Sequence, residues 1–399
     1  MNMKPLDGIK VIACEHFIAG PLCTMMLGDM GADVIKVEPP DGGETSRSLG
    51  PPFVGGEAVY YLSFNRSKKD ITINTRTPEG VEILKKLIKG ADVLVENYRV
   101  GVMEKLGLSY EEVRAFNPGI IYCSISGYGH DSALKDKPGF DAMIQAESGL
   151  MDITGFPDGQ PTRVGIALSD NTAGLYAVNG ILLALISREK TGKGQHIDIA
   201  LIDSLVSFLT YQAGHYFATG ESPVRVGNRH PVITPYESFT AADGHLVMAV
   251  GTQRLWENFC NNVLKHPELI MDSRFITMSD RNTNQAQLKI IIEESTRQKT
   301  TDEWVELLTA AGIPCGRIRS VAEVLEDETL KARGMITEKE HPTAENNKVR
   351  LLGNPVKLSE TPGDISVSPP LLGQHTAEIL KELGYGDEEI HAFREKGIV

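Results

Sequence analysis

The sequence predicts an α/β fold: a Rossmann-like large domain with a parallel sheet, joined to a smaller α+β domain. Three observations carry this. Short apolar runs alternate with helical patterns through the first half, a cluster of glycines and prolines interrupts the chain near residue 220, and the pattern beyond it changes to a hairpin and short helices.

The elements follow in order. Residues 9–14, 34–37, 71–74, 93–96 and 120–125 are apolar without a polar face, as strands buried on both sides of a parallel sheet should be. Between them, helical patterns cover residues 20–30, 78–89, with Pro78 in the first turn, and 110–116. A long helix is expected over 171–190, stopped by Thr191-Gly192-Lys193-Gly194-Gln195, followed by a strand at 196–200 and a helical stretch at 201–217. Gly220, Pro223, Gly227, Pro231 and Pro235 then mark a linker. After it come an apparent hairpin, 237–240 and 246–250 around Asp243-Gly244, and helices near 254–263, 284–297 and 301–311. Short strands follow Gly316, then a proline-rich stretch at 362–370 and a helix near 376–383.

Composition narrows the function. The 399 residues are 41% apolar and 23% charged, a globular profile, and the net charge of −13 opposes nucleic-acid and membrane partners while leaving room for a local anion site. Cys14, Cys23, Cys123, Cys260 and Cys315 form no CxxC pair and no metal spacing, so they read as reduced packing residues and no metal is expected. Neither a signal-peptide pattern nor a membrane-spanning run is found, and a cytoplasmic location is the expectation.

Familiar nucleotide motifs are missing. The first strand-to-helix turn, Glu15-His16-Phe17-Ile18-Ala19-Gly20-Pro21, lacks the GxGxxG glycines, although Glu38 ends the second strand where a ribose-binding acid would sit. Thr191-Gly192-Lys193-Gly194 follows a helix instead of preceding one and reads as a C-cap. There is no GxSxG elbow and no HExxH helix. The richest segment is Ala167-Leu168-Ser169-Asp170-Asn171, where an aspartate opens a long apolar helix. The positive helix N-terminus should keep that carboxylate ionised and able to attack an activated acyl carbon. An ordinary N-cap looks the same, and pattern by itself leaves both readings open.

The chain as a whole resembles the class III CoA-transferase (CaiB/BaiF) family nearly end to end. The matching stretches are residues 5–11, Ala19-Gly20-Pro21, Leu27-Gly28-Asp29-Met30-Gly31-Ala32-Asp33 running on to Glu38, Val95-Glu96-Asn97-Tyr98, Ser126-Gly127-Tyr128-Gly129, residues 191–195, and Pro370-Leu371-Leu372-Gly373-Gln374-His375-Thr376. The resemblance implies an interlocked, ring-like homodimer. In it a large domain of residues 1–218 is completed by 327–399, and 219–326 form the linker and small domain. It implies that Asp170 attacks an acyl-CoA, passing through an aspartyl anhydride and an aspartyl-CoA thioester before a carboxylate acceptor takes the CoA.

By matching position, Ala19, Lys36, Ile71, Ile73, Asn97, Tyr98, Arg99 and Lys105 are carried over as CoA contacts. Coenzyme A is then a substrate and no tightly bound cofactor is expected. Tyr60, Asp141 and Gly251 match substrate-side positions, Ile18 stands where the oxalate-specific branch has a polar residue, which argues against oxalate, and Arg229 beside His230 on the linker is read as a clamp for a second carboxylate. Gly251-Thr252-Gln253 stands where relatives have a glycine-rich lid, in shortened form. Arg47 and Arg229 are candidate carboxylate clamps, favouring a dicarboxylate of the succinyl type. Two alternatives compete: a 2-methylacyl-CoA racemase, which places a histidine where this chain has Phe140, and a non-catalytic acyl-CoA-binding protein in which Asp170 is only a cap.

Overall fold

The computed structural model describes residues 3–365 and 367–399. The first two positions of the expected large domain and Ser366 in the proline-rich stretch lie outside them. The described chain divides into two compact units. One comprises the residues up to Leu150, Arg163–Gly214 and Glu328–Val399; the other comprises Met151–Thr162 and His215–Asp327.

The first unit runs β1 (Lys10–Cys14), α1 (Ala19–Asp29), β2 (Asp33–Glu38), β3 (Lys69–Thr72), α2 (Pro78–Lys89), β4 (Val93–Glu96), α3 (Tyr110–Phe116), β5 (Ile121–Ser126), α4 (Asp141–Glu147), α5 (Leu168–Thr191), β6 (Gln195–Ala200) and α6 (Leu201–Val206). Its six strands are all parallel, in the order β3-β2-β1-β4-β5-β6. That is the doubly wound, Rossmann-like order. Successive strand residues face opposite ways, so Val11, Ala13, Val93 and Val95 pack toward Ala173, Ala177 and Ile181 of α5. Ile12, Cys14, Ile71 and Leu94 pack toward Leu84 and Leu87 of α2 on the other face. Burial on both faces is why these strands are continuously apolar in sequence.

Helix ends follow local chemistry. Thr77 accepts from the Gly80 N–H to cap α2, with Pro78 at its first position. Ser109 and Glu112 form a reciprocal capping box on α3. The helical stretch expected over 201–217 is interrupted: α6 gives way to a tight turn at Ser207–Leu209, and Thr210, with φ 41°, starts a new helix, Thr210–Thr219. The Ser207 hydroxyl bonds back to the Ser204 carbonyl, which competes with regular helix continuation.

The second unit holds a three-stranded antiparallel sheet made by β7 (Tyr236–Thr240), β8 (His245–Ala249) and β9 (Cys315–Arg317). Helices α7 (Gln285–Thr296) and α8 (Thr301–Ala310) contribute Leu288, Ile292, Trp304 and Leu308 to its core around Trp256, Phe259 and Phe275. The chain after 327 returns to the first unit. There α9 (Thr376–Glu382) and α10 (Asp387–Glu395) add Ile379, Leu380 and Ile390 to the α2 face of the sheet.

The packing of α1 on α5 needs a missing side chain. A Cβ on Gly174 would lie 2.9 Å from the Ala19 carbonyl oxygen and 3.1 Å from Leu22 Cδ2. Gly174→Val is therefore expected to destabilise the first unit by about 1–3 kcal/mol, read as a fall in the urea midpoint with an unchanged m-value.

Candidate active site

Strand order reverses between β1 and β4, so the segments leaving their carboxyl ends diverge and leave a crevice there. Residues 15–19 after β1 and 97–99 after β4 wall two neighbouring cavities, of about 770 Å³ and about 680 Å³, that share His16 and Tyr98. Burial lowers the His16 pKa, so its imidazole is neutral near pH 7.

The larger cavity is lined by Ile73, Arg76, Thr77, Val81 and Lys105, with Glu15, Glu38 and Glu44 on the β1–β2 side. Arg76 directly precedes the capped N-terminus of α2, and its backbone N–H donates to Asn74 Oδ1 at 3.2 Å. Two cations beside an apolar slot and a helix N-terminus suit a phosphorylated nucleotide.

The smaller cavity holds Asp170 together with Ile18, Ala19, Tyr60, Asn97, Arg99, Lys135, Lys137, Phe140 and Asp141. Asp170 is the third residue of α5, whose N-cap position is Ala167 and carries no side-chain cap. The cap comes from another helix. Asp141, the first residue of α4, accepts from the Ser169 N–H at 2.9 Å and from the Ser169 hydroxyl at 2.8 Å. Its other oxygen accepts from Gln145 Nε2 at 2.7 Å. Buried Gln145 in turn donates to the Ile166 carbonyl and accepts from the Val164 N–H. Asp141 and Gln145 thus moor the chain entering α5, and with it Asp170.

Burial, followed by the negative charge of Asp141, raises Asp170 to about 7. Burial and a like charge thus act against the ionising influence expected of the helix N-terminus. The expected capping role of Asp170 is likewise taken over by Asp141. Burial, then the charge of Asp170, pushes the Tyr60 phenol up to about 12, so it remains a hydrogen-bond donor throughout the neutral range.

Of the positions expected to contact CoA, Ala19, Asn97, Tyr98 and Arg99 line the Asp170 cavity and Ile73 and Lys105 the larger one. Two are corrected. Lys36 is fully buried, its ammonium 3.3 Å from Glu44 and 3.9 Å from Glu15, and Ile71 is sealed in the sheet core. Arg47 is corrected as a carboxylate clamp, because its guanidinium already binds Glu38 at 2.8 and 2.9 Å and Glu57 at 3.0 Å and lies over the Tyr61 ring.

Arg229, His230 and Gly251 belong to the second unit. There Arg229 donates to Asn282, and the His230 ring accepts from the N–H groups of Val232 and Ile233 and stacks on Tyr236. Arg76, Lys135 and Lys137 were missed. The Thr75-Arg76-Thr77-Pro78 run ahead of α2 was a readable signal for Arg76, whereas the two lysines sit in a loop that only the fold brings to Asp170.

Comparison with known proteins places the chain in a family. The family model described as CoA-transferase family III matches residues 6–376. The succinyl-CoA:glutarate CoA-transferase of Homo sapiens is 41% identical over 399 residues, which cover 100% of this chain and 90% of that protein. The succinate–glutarate CoA-transferase of Agrobacterium fabrum is 39% identical, covering 96% of both chains. A crystal structure of a CAIB/BAIF family protein from Brucella suis superposes with a TM-score of 0.87 at 42% identity, covering 96% of this chain and all of that one.

The raised Asp170 pKa makes a signed prediction. Its carboxyl ionises near 4 when unfolded and about 7 when folded, so its contribution to stability is complete below about pH 4 and lost as pH rises through 7. Asp170→Asn should therefore gain in Tm relative to the parent as pH is raised from 5 to 8. A Tm difference that is flat or falls over that range would contradict the assignment.

Proposed function

We propose, from the premise that the chain belongs to CoA-transferase family III, that it moves CoA from a succinyl-type acyl-CoA to a short dicarboxylate such as glutarate, with Asp170 as the covalent nucleophile. The chain is a CoA-transferase, transferring CoA from an acyl-CoA donor to a carboxylate acceptor. The substrate pair and the intermediates are our reading. The observation that carries it is Asp170 in a cavity with Tyr60, Arg99, Lys135 and Lys137, adjoining a second cavity with Arg76 and Lys105. An extended acyl-CoA needs such a division: cations for its phosphates at one end and a nucleophile at the thioester.

In this reading the Asp170 carboxylate attacks the thioester carbonyl, the C–S bond breaks, and CoA leaves as thiolate with an aspartyl anhydride in place. The thiolate then attacks the Asp170 carbonyl of the anhydride, releasing the donor acid and forming an aspartyl-CoA thioester. The acceptor carboxylate displaces the thiolate in the same way, and the returning thiolate takes the acceptor's acyl group and frees Asp170. Tyr60, held protonated, can donate a hydrogen bond to the developing oxyanion. The positive charge of Arg99 and Lys135 suits both the phosphate-bearing arm and a distal carboxylate, and Lys137 lines the same cavity from an ion pair with Glu147 at 2.6 Å. Phe140 lines this cavity edge-on to Phe17, with centroids 5.9 Å apart, and has no atom to take an α-proton, which supports transfer over racemisation.

The interlocked homodimer is part of the same proposal. Leu175, Tyr176, Leu183 and Ile186 of α5, with Val206 and Phe208, are exposed apolar side chains that a partner subunit would cover. Free thiols at all five cysteines support a reducing compartment such as the cytoplasm. Among the described residues no helix is long and apolar enough to cross a membrane.

The test is chemical. Incubation with succinyl-CoA followed by hydroxylamine should place a hydroxamate on Asp170, identified by peptide mass. Asp170→Ala should keep its circular dichroism spectrum and lose transfer by about 10³-fold or more; full turnover by that variant would sink the proposal. A panel of oxalate, succinate, glutarate and monocarboxylate acceptors fixes the substrate class, and a preference for monocarboxylates would refute the dicarboxylate assignment.

A further inference from the structure

Phe17 is the one non-glycine residue lining either cavity whose backbone is left-handed, at φ 62°. A bulky aromatic residue adopts that conformation only where its surroundings impose it. Here the backbone groups leading into it are held. Lys36 Nζ donates to the Glu15 carbonyl at 3.2 Å. Asn97 accepts from the His16 N–H and donates to the His16 carbonyl, both at 2.9 Å. Glu44 Oε2 accepts from the Phe17 N–H at 3.1 Å.

The Glu44 carboxylate is itself fixed, accepting from the Ser46 N–H at 3.2 Å and lying 3.3 Å from the Lys36 ammonium. Its backbone N–H donates to Glu38 at 2.8 Å. Burial alone would raise the Glu44 pKa, but the Lys36 charge and these donors hold it below the usual carboxylate value, so the pair is ionic. A buried ion pair is a poor source of stability compared with apolar packing, which makes conformational control its better-supported use. What it holds is the start of the 16–19 segment, and Phe17, Ile18 and Ala19 line the smaller cavity together with Asp170.

We propose that Lys36 and Glu44 are positioning residues for the transfer reaction: they clamp the strained backbone at Phe17, and so hold the wall that the thioester must meet when Asp170 attacks. This rests on the assignment of Asp170 as nucleophile. The clamp acts on geometry and not on ligand affinity, so its loss should appear in kcat.

The experiment uses the full-length enzyme with succinyl-CoA and glutarate, with rates expressed per folded molecule. Glu44→Ala is expected to lower kcat about 10- to 100-fold, with KM for the acyl-CoA changed less than about 3-fold. Glu44→Gln, which retains an oxygen for the Phe17 N–H, should recover most of that loss. Phe17→Asn tolerates the left-handed conformation, and in its background the Glu44→Ala penalty should shrink. An unchanged kcat, an effect confined to KM, or strictly additive penalties would each overturn the clamp. Should Glu44→Ala fail to fold, Phe17→Asn and Phe17→Ala decide: the asparagine variant should keep a kcat several-fold higher, and equal rates refute the proposal. A parent enzyme that transfers no CoA would instead remove the Asp170 reading on which the clamp rests.

Discussion

The reversal of strand order between β1 and β4 is the constraint from which the site follows. The crossovers leave these neighbouring parallel strands in opposite directions, and the backbone turning out of β1 and β4 becomes the wall of a crevice. Asp170 lies far along the chain; α5, which carries it, packs closely on α1 at Gly174, and Asp141 and Gln145 moor the chain entering α5. Sheet topology makes the space, and Asp170 at the start of α5 lines it.

Within that space, neighbouring carboxylates are given different surroundings. Asp141 has three donors on its oxygens and serves as the cap that the α5 terminus lacks. Asp170 is raised by burial and by the charge of Asp141 itself. One carboxylate is engaged in structure while the other sits near the threshold of ionisation at neutral pH, the poise on which the proposed nucleophilic role rests. This arrangement opposes stability, since ionising a crowded carboxylate is costly.

Behind the wall, charge is handled in the reverse way. Glu15, Lys36, Glu44 and Lys68 are all buried and answer one another: Lys68 donates to Glu15 at 2.7 Å, and Lys36 bridges Glu15 and Glu44. Arg47 does the same for Glu38 and Glu57. These groups give the β1–β2 edge a rigid polar interior directly beneath the cavities. Arg76 and Lys105 line the larger cavity instead, and Lys137 lines the smaller one while paired with Glu147 at 2.6 Å.

The sequence by itself determined the strands and most helices of the first unit, because residues buried on both faces must be apolar without interruption and helix ends must be capped; α2 and α3 are bounded as their capping residues require. It also made Asp170 a candidate through a motif local to one helix start. It did not reveal the break at Thr210, the roles of Lys36 and Arg47, or Lys135 and Lys137 beside Asp170. Those depend on partners distant in the chain: a lysine reads the same whether it meets a phosphate or a buried glutamate such as Glu44. Only the tertiary structure decided which charges face one another and which face the cavity, because Coulombic and desolvation energies depend on distance and burial, and neither is written in residue order.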